Sequence, residues 1–270
     1  MTSSERADEF RRLHQDGVLV LPNVWDVASA RLVERAGARA VATTSGGVAW
    51  SLGAPDGDRL SRELAVDAVR RIAAAVSVPV TADIESGFGA TPQDVAETVR
   101  MVLDAGAVGV NLEDAGSPLR DVAEQAERIA AARAAADAAG VSLFVNARTD
   151  VYLRRVGEES GRPAETVRRA EAYAAAGADG IFVPGVLDPA VLRQLAEAIP
   201  RPLNVLAGHG AAPVGELAAL GVRRVSVGTA IAEAAYGTAR RAVVELLTAG
   251  TYGGLAGGVD YGELNAMLGA

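Results

Sequence analysis

The fold is indicated most clearly by one stretch of sequence, Gly106-Ala107-Val108-Gly109-Val110-Asn111-Leu112-Glu113-Asp114. Its first glycine closes an Ala-rich helical segment, as a helix C-cap does, and a near-continuous apolar run then ends in polar residues. Such a run is typical of a parallel strand that is covered on both faces. The same rhythm recurs in residues 37–45, 177–184 and 221–228. One repeated strand–helix unit therefore organises the chain.

Four similar apolar runs complete a set of eight predicted strands: 18–21, 78–82, 143–146 and 203–206. Helical spacing of apolar residues predicts the segments between and after the strands: 27–36, 61–75, 91–105, 122–139, 163–176, 189–198, 214–220 and 229–248. Eight strand–helix units predict an α/β protein, a (β/α)8 TIM barrel, with residues 1–270 as a single domain. A doubly wound open sheet is the alternative, although no Gly-x-Gly-x-x-Gly follows the first strand.

The composition excludes several classes of function. The chain has 34 acidic and 26 basic residues, a formal net charge of −8, which is the wrong sign for binding nucleic acid or an anionic membrane. Every basic residue is arginine and cysteine is absent, which excludes a Schiff-base lysine, a thiol nucleophile and cysteine-ligated metals. With two histidines, a multi-histidine metal site cannot form within one chain. The sequence shows neither a signal peptide nor an apolar run of membrane-span length, which predicts a cytoplasmic protein.

Several carboxylates follow the third and fourth predicted strands, namely Asp83, Glu85, Glu113 and Asp114. A barrel of this kind carries its chemistry at the C-terminal ends of the strands, where like charges raise one another's pKa unless a cation neutralises them. Mg²⁺ prefers oxygen ligands and keeps several waters, so one carboxylate can bind directly while others hold the waters. We expect Asp83 to be the direct ligand, with Glu85 and Glu113 in support. The alternative is a set of solvated acids that cap the next helices.

Two further strand ends predict anion binding. Ser45-Gly46-Gly47 follows the second strand, and its backbone N–H groups can approach a ligand oxyanion closely because two residues lack a Cβ; a flexible turn is the alternative. Arg148 ends the fifth strand with a planar fork suited to a carboxylate or phosphonate. A structural salt bridge to Asp150 or Glu113 is the competing interpretation.

The remaining candidates are single side chains. Trp25 forms either a pocket wall or core packing, and Asn204 stands at the seventh strand as a candidate substrate contact. His209 follows that strand as either an acid–base residue or a surface-loop histidine, and His14 is expected to be exposed without a role. No Gly-x-Ser-x-Gly elbow supports Ser-His-Asp hydrolysis. Metal-assisted chemistry on a small anionic substrate remains.

Six ordered segments at the predicted strand ends form a recognisable pattern. The most specific are Thr81-Ala82-Asp83-Ile84-Glu85-Ser86-Gly87-Phe88-Gly89, Val110-Asn111-Leu112-Glu113-Asp114 and Asn146-Ala147-Arg148-Thr149-Asp150, and residues 22–30, 44–47 and 51–56 complete the set. Together they resemble the isocitrate lyase and phosphoenolpyruvate mutase superfamily, which includes phosphoenolpyruvate phosphonomutases and methylisocitrate lyases. The similarity extends over nearly the whole chain.

The resemblance implies a (β/α)8 barrel whose last helix is exchanged between partner subunits, so that residues 229–270 form the swapped helix and tail of a homo-oligomer, a dimer or tetramer. It also implies Mg²⁺ bound directly by Asp83, with Asp56, Glu85 and Glu113 acting mainly through water. The substrate would be a small α-keto acid or phosphonate, whose carboxylate and enolate oxygens face the metal and the amides of residues 45–47. Arg148 would hold the departing or migrating group.

The sequence departs from the superfamily where its members differ. Lyases carry Lys, Cys and His on a gate after the fourth strand and phosphonomutases carry Lys and Asn, whereas residues 115–121 have none of these. Pro184-Gly185 replaces a usual Glu, and His209 stands where lyases tend to have an aromatic residue. These departures argue against a conventional isocitrate or methylisocitrate lyase and weaken a phosphonomutase assignment.

The leading hypothesis is a Mg²⁺-dependent lyase or hydrolase that cleaves a C–C or P–C bond of a small α-keto acid, oxaloacetate-like or phosphonopyruvate-like, through a metal-stabilised pyruvyl enolate. Ser117, His209 or a metal-bound water would then handle protons. One alternative is a phosphoenolpyruvate or carboxyphosphonoenolpyruvate phosphonomutase, an isomerase that needs no general base. Another is a barrel that binds ligand without turnover.

Overall fold

A computed structural model, which describes residues 2–269, shows a nearly closed barrel of parallel strands alternating with helices. The strands are β1 (Leu19–Leu21), β2 (Asn23–Val24), β3 (Val41–Thr43), β4 (Val80–Asp83), β5 (Gly109–Glu113), β6 (Phe144–Arg148), β7 (Gly180–Val183), β8 (Leu203–Leu206) and β9 (Arg224–Ser226). The predicted (β/α)8 barrel is confirmed, and the doubly wound alternative is wrong because β1 pairs with β9 while β2 pairs with β3.

The nine strands occupy eight barrel positions because the first strand, predicted at 18–21, is followed beyond Pro22 by β2, which was not predicted. Proline has no N–H to donate to a neighbouring strand, so a ladder is interrupted there. Before Pro22, β1 pairs with β9; at Pro22 the carbonyl accepts from the Ala42 N–H at 3.1 Å, and β2 continues beside β3. This change of partner joins the two ends of the sheet.

Helices lie around the barrel between successive strands. They are α1 (Ser3–Leu13), α2 (Val27–Arg35), α3 (Ser45–Ser51), α4 (Arg62–Ala75), α5 (Pro92–Asp104), α6 (Val122–Ala138), α7 (Arg162–Ala175), α8 (Pro189–Ala198), α9 (Val214–Ala219), α10 (Ala230–Ala249) and α11 (Tyr261–Leu268). Two short 3₁₀ turns span Glu159–Gly161 and Gly253–Leu255. The predicted helices match α2 and α4 to α10 to within about two residues, whereas α3 and α11 were not predicted.

The interior of the barrel below the strand ends is polar. The Asn146 amide donates to the side-chain oxygens of Asn111 at 2.8 Å and Asn204 at 3.0 Å, and Arg224 donates to Asn111 at 3.1 Å. Asn204 is fully buried, and its amide donates to Ser226 and to the Val205 carbonyl. Because its polar atoms bond within the barrel, Asn204 belongs to this interior network, and a substrate contact for it stays a prediction.

His14 is buried, and the expectation that it is exposed is wrong. Only 5% of its surface is accessible, its ring stacks on Phe144 with 3.9 Å between centroids, and its Nδ1 lies 2.8 Å from the Phe10 carbonyl oxygen. Helix α1 packs against the barrel through Ala7, Phe10 and Leu13, and position 14 extends the stripe that Phe10 begins. That four-residue spacing in the sequence is the signal that could have placed His14 inside.

This burial predicts a pH-dependent stability. Burial, with a smaller contribution from Arg224, lowers the pKa of His14 to about 3, whereas the unfolded chain protonates it near 6.5. Between these values the unfolded state binds the extra proton, so acidification below pH 6.5 removes stability at up to about 1.4 kcal/mol per pH unit. Urea unfolding of the wild type and His14→Phe between pH 5 and 7 should show a shallower pH dependence in the variant. Identical slopes would contradict this assignment.

Helix α10 leaves the barrel instead of covering it. Its first turn packs on α3, where Ala232 lies against Gly47, but Ala232 and Ala242 are its only buried residues. Val20, which faces outward from β1, is 46% exposed in a groove of about 530 Å³ bounded by Leu13, Val33 and Ile231. The barrel wall is therefore open beside β1. Within residues 2–269, no helix has the length and apolar character needed to cross a membrane.

Candidate active site

Asp83 stands at the C-terminal end of β4 and is held by its neighbours on two sides. Its Oδ2 accepts from the Ser45 hydroxyl at 3.0 Å and from the Ser45 N–H at 3.3 Å, while its Oδ1 accepts from the Glu85 N–H at 3.3 Å. Its own N–H donates to the Thr43 hydroxyl at 2.9 Å. Burial raises the pKa of Asp83, and the nearby Arg148 opposes that rise. The carboxylate is fixed in orientation at the open end of the barrel.

Arg148 lies at the end of β6 between two acids. Its Nη1 lies 2.6 Å from the Glu113 carboxylate, and its Nε and Nη2 donate to Asp150 at 2.6 and 3.1 Å. Both salt bridges considered as the competing interpretation are therefore present. A guanidinium has five N–H donors, and these contacts use three of them. The two that remain allow Arg148 to contact an anionic ligand as well.

Asp56 and Glu85 are brought to the same end of the barrel. The segment between α3 and α4 folds back, so that the Asp58 N–H donates to the Glu85 carboxylate. A Cβ on Gly46 would lie 3.3 Å from the Asp56 carboxylate, which places that acid beside the first turn of α3. Burial, with smaller contributions from the negative charges of Asp83, Asp58 and Asp56, raises the pKa of Glu85 to about 7, against the lowering effect of the hydrogen bond from the Asp58 N–H.

Glu113 completes the acidic group. Burial raises its pKa to about 8, against the lowering effect of Arg148, and the charges of Asp83, Asp150 and Glu85 add to the rise. Among residues 2–269, no three Asp, Glu or His side chains converge closely enough to ligate one ion together. Mg²⁺ commonly binds through one or two carboxylates and retains waters, so this donor set fits Asp83 as the direct ligand with the other acids beyond the water shell.

Ser45, Gly46 and Gly47 form the first turn of α3, not a flexible turn. The N–H groups of a helix's first turn have no partner within the helix, so those of Gly46 and Gly47 are available to an oxyanion. A Cβ on Gly47 would lie 2.9 Å from the Cβ of Trp25, and one on Gly46 would lie 2.8 Å from the Thr229 methyl. The two glycines are therefore required by close packing around this turn.

Asp114 faces away from the other acids, in contrast to its expected place beside Glu113. It is fully buried, and its carboxylate accepts from the Tyr173 hydroxyl at 2.7 Å, from Arg169 at 2.9 Å and from the Asp150 N–H at 2.9 Å. Neighbouring residues of a strand point to opposite faces, so Glu113 faces the barrel interior and Asp114 faces α7. Asp114 holds the backbone that carries Asp150.

The segment that replaces the family gate, residues 115–121, is short and tied to the barrel. The Arg120 N–H donates to the Asp114 carbonyl at 3.1 Å, and Arg169 donates to the Arg120 carbonyl at 2.9 Å. Ser117 is exposed in the middle of this segment. His209 is also exposed, in a groove at the same end of the barrel that Gly185, Leu206 and Thr229 help to line. The structure thus leaves both proton-transfer candidates at the solvent side of the site.

Trp25 packs mainly against apolar neighbours. It contacts the small cluster of Val48, Leu60 and Ala65, and it also lines a surface groove beside Leu268. This position favours the packing interpretation of Trp25 over a pocket wall.

Comparison with known proteins agrees with this arrangement. The family model described as phosphoenolpyruvate phosphomutase matches residues 10–247. The chain belongs to the phosphoenolpyruvate mutase/isocitrate lyase superfamily. The 2-methylisocitrate lyase of Escherichia coli strain K12 is 34% identical over 212 residues, which cover 75% of this chain and 70% of the lyase.

Solved structures of the superfamily match along nearly the full chain. A lyase/mutase candidate from Burkholderia cenocepacia J2315 superposes with a TM-score of 0.93 at 39% identity, covering 99% of this chain and 98% of its own. Oxaloacetate acetylhydrolase in complex with the inhibitor 3,3-difluorooxalacetate superposes with a TM-score of 0.87 at 28% identity, covering 99% of this chain and 94% of its own. Phosphonopyruvate hydrolase in complex with oxalate and Mg²⁺ superposes with a TM-score of 0.86 at 27% identity, covering 100% of this chain and 95% of its own.

The superfamily thus includes lyases, hydrolases and mutases.

Two contacts at the candidate site were not predicted from the sequence. Asp58 contacts Glu85 through its backbone, and Arg154 contacts Asp150 from the segment after β6. Both depend on loops folding back over the barrel, which strand periodicity does not report.

Proposed function

We propose that this protein is a Mg²⁺-dependent lyase or hydrolase that cleaves the C–C or P–C bond of a small α-keto acid through a pyruvyl enolate. The observation that carries the proposal is the placement of Arg148 beside Glu113 and within the electrostatic influence of Asp83. The site therefore has an acidic side suited to a cation and a basic side suited to an anion. The superfamily matches, one of them with oxalate and Mg²⁺ bound, support the same assignment.

The side chains can be given separate tasks in that reaction. Asp83 would bind Mg²⁺ directly, while Glu85, Glu113 and Asp56 would orient its waters. When bound, the metal supplies a Lewis acid that polarises the keto oxygen of the substrate and favours negative charge there.

Backbone and arginine donors act on the two ends of the substrate. The N–H groups of Gly46 and Gly47 would donate to the carboxylate and keto oxygens at the pyruvyl end, as an oxyanion hole does. In a phosphonopyruvate-like substrate, a water oxygen would bond to phosphorus as the C3–P bond breaks, so that phosphate departs and the electron pair stays on C3 as the pyruvyl enolate. In an oxaloacetate-like substrate, water would add to the keto carbon C2 and the C2–C3 bond would break, so that oxalate forms and the electron pair passes to C3 of the acetate fragment. Arg148 would hold the departing group through the two N–H donors that its protein partners leave available. C3 then takes a proton, for which Ser117 and His209 are the candidate donors.

A phosphonomutase is the second candidate, and one observation favours it. Among residues 2–269, both candidate proton donors, Ser117 and His209, are exposed at the solvent side of the site. Passing a phospho group between the two ends of one enolate needs no general base. The bond from C3 to phosphorus would break and a bond from the enolate oxygen to phosphorus would form, with no change in the proton count.

Product analysis separates these functions. Purified protein with Mg²⁺ would be offered phosphonopyruvate and oxaloacetate in parallel and followed by phosphorus and proton NMR. We expect pyruvate with free phosphate, or oxalate with acetate, from the wild type. A phosphate-ester signal would establish the mutase instead. Absence of both, in samples that bind oxalate in the presence of Mg²⁺, would contradict turnover of these substrates and favour a binding protein. Samples without Mg²⁺ and the Arg148→Gln variant serve as controls.

A further inference from the structure

The segment after β6 folds onto the open end of the barrel. The Arg154 N–H donates to the Asp150 carbonyl at 2.9 Å, and the Val156 N–H donates to the Val151 carbonyl at 2.9 Å. A Cβ on Gly185 would lie 2.8 Å from the backbone of Leu153, so a residue with a side chain at position 185 would collide with this segment. Gly185, in the Pro184-Gly185 pair that replaces a usual Glu of the superfamily, thus allows the segment to lie over the end of β7.

This path places Arg154 beside Arg148. Arg154 Nε and Arg148 Nη2 both donate to one oxygen, Oδ2 of Asp150, at 3.3 and 3.1 Å. The Asp150 side chain is fully buried, so one desolvated carboxylate is shared by two guanidinium groups. Glu113 also pairs with Arg148, so the two guanidinium groups face two carboxylates and their charges balance. An incoming anion would therefore be held through unused N–H donors and not through an excess of positive charge.

The two arginines also have donors to spare. Arg154 contacts Asp150 through Nε, and its Nη1 and Nη2 have no partner among residues 2–269. Its side chain is 45% exposed, so these nitrogens are accessible to a ligand that enters the open end of the barrel. Arg148 retains one N–H on each terminal nitrogen after its contacts with Glu113 and Asp150. A group with two or three terminal oxygens can be held by both residues.

We propose that Arg154 and Arg148 together form a subsite for the anionic group that departs or migrates, a carboxylate or a phosphonate. This inference rests on the proposed function and adds to it that Arg154 acts with Arg148 on the anionic group beyond the pyruvyl end of the substrate. The acids around Asp83 and the arginine pair on Asp150 then fix which end of the substrate meets each side. Arg154 is the residue of this chain that supplies the second guanidinium.

Two probes of different length test the proposal. Oxalate resembles only the pyruvyl end, whereas 3,3-difluorooxaloacetate carries an additional carboxylate at its far end. We expect Arg154→Gln, in the presence of Mg²⁺, to raise the dissociation constant of 3,3-difluorooxaloacetate about tenfold or more, as loss of a charge-assisted hydrogen-bonding partner does. The dissociation constant of oxalate should change less than about twofold. Isothermal titration calorimetry measures both dissociation constants.

Arg155→Gln is the matched control because it removes the same charge from the next residue, which is exposed. It should leave both dissociation constants within about twofold of the wild type, since a long-range charge effect alone is small in water. Equal weakening of the two probes by Arg154→Gln, or no effect on either, would overturn the subsite. If the wild type bound neither probe in Mg²⁺, the proposed function itself would be wrong and this inference would fall with it.

Discussion

Asp83→Ala should abolish the Mg²⁺-dependent binding of oxalate while the barrel stays folded. Changes to residues that only orient a metal ligand cost roughly 10- to 100-fold in affinity, and loss of the single direct carboxylate should exceed that range. Asp83→Asn keeps the size of the side chain and removes its charge, so it should behave in the same way. Calorimetric titration of oxalate with and without Mg²⁺ measures the effect.

The same variants should not destabilise the protein. Burial raises the pKa of Asp83, which means that the folded state disfavours its ionised form relative to the unfolded state. A neutral Asn at this position removes that cost, so the urea midpoint of Asp83→Asn at pH 7 should equal or exceed that of the wild type. Asp67→Asn, on the exposed face of α4, is the control for a lost carboxylate outside the site. Wild-type oxalate affinity in Asp83→Asn would refute the metal assignment.

Most of the barrel could be predicted because its strands are buried on both faces and its helices are bounded by strong signals. Thr91 shows this well, since its side chain accepts from Asp94 in a capping box and Pro92 occupies the first helical position. The split at Pro22 and the burial of His14 were missed for a shared reason. Each depends on contacts with distant parts of the chain. The split follows from the pairing of β1 with β9 and of β2 with β3, and the burial of His14 follows from its stacking on Phe144.

The centre of the candidate site was also accessible from the sequence. Asp83, Glu113 and Arg148 end neighbouring parallel strands, and parallel strands deliver their C-terminal residues to one end of a barrel. Asp114 could have been separated from Glu113 by the two-residue alternation of a strand. The place of Arg154 beside Arg148 could not be predicted from the sequence. It depends on a loop that lies against Gly185, and the path of a loop follows from tertiary contacts.

The C-terminal region raises a question of assembly. Helix α10 exposes a run of large apolar side chains, Val243, Val244, Leu246 and Leu247, and Leu247 alone is 78% exposed. At the same time the barrel wall beside β1 has an apolar groove, at the place where an eighth outer helix would pack. We propose that α10 of one protomer covers this groove on a second protomer, in agreement with the domain-swapped helix that the superfamily resemblance implies. An unpaired helix face and an uncovered barrel wall would then satisfy each other.

Truncation after Gly228 should leave aggregated or unfolded protein. The groove loses its cover on every protomer, and α3 loses the contact of Gly47 with Ala232. Burial of a large aliphatic side chain contributes about 1.5–3 kcal/mol, so removal of the four exposed α10 residues from an interface would cost about 6–12 kcal/mol, which is comparable to the usual stability margin of a domain. Circular dichroism and light scattering of the truncated chain test this expectation, and a stable, folded monomer would reject it.

Leu247→Glu tests the same proposal without removing any chain. In an isolated protomer Leu247 faces solvent, so the substitution should be harmless there, whereas in an exchanged helix it buries an unpaired charge and should dissociate the oligomer. Leu64→Glu is the matched control, since Leu64 is also exposed but lies on α4, outside the groove beside β1. We expect light scattering to show a smaller assembly, or loss of soluble protein, for Leu247→Glu and an unchanged mass for Leu64→Glu. Equal masses for the wild type and Leu247→Glu would place α10 outside any interface and leave the groove beside β1 without its proposed cover.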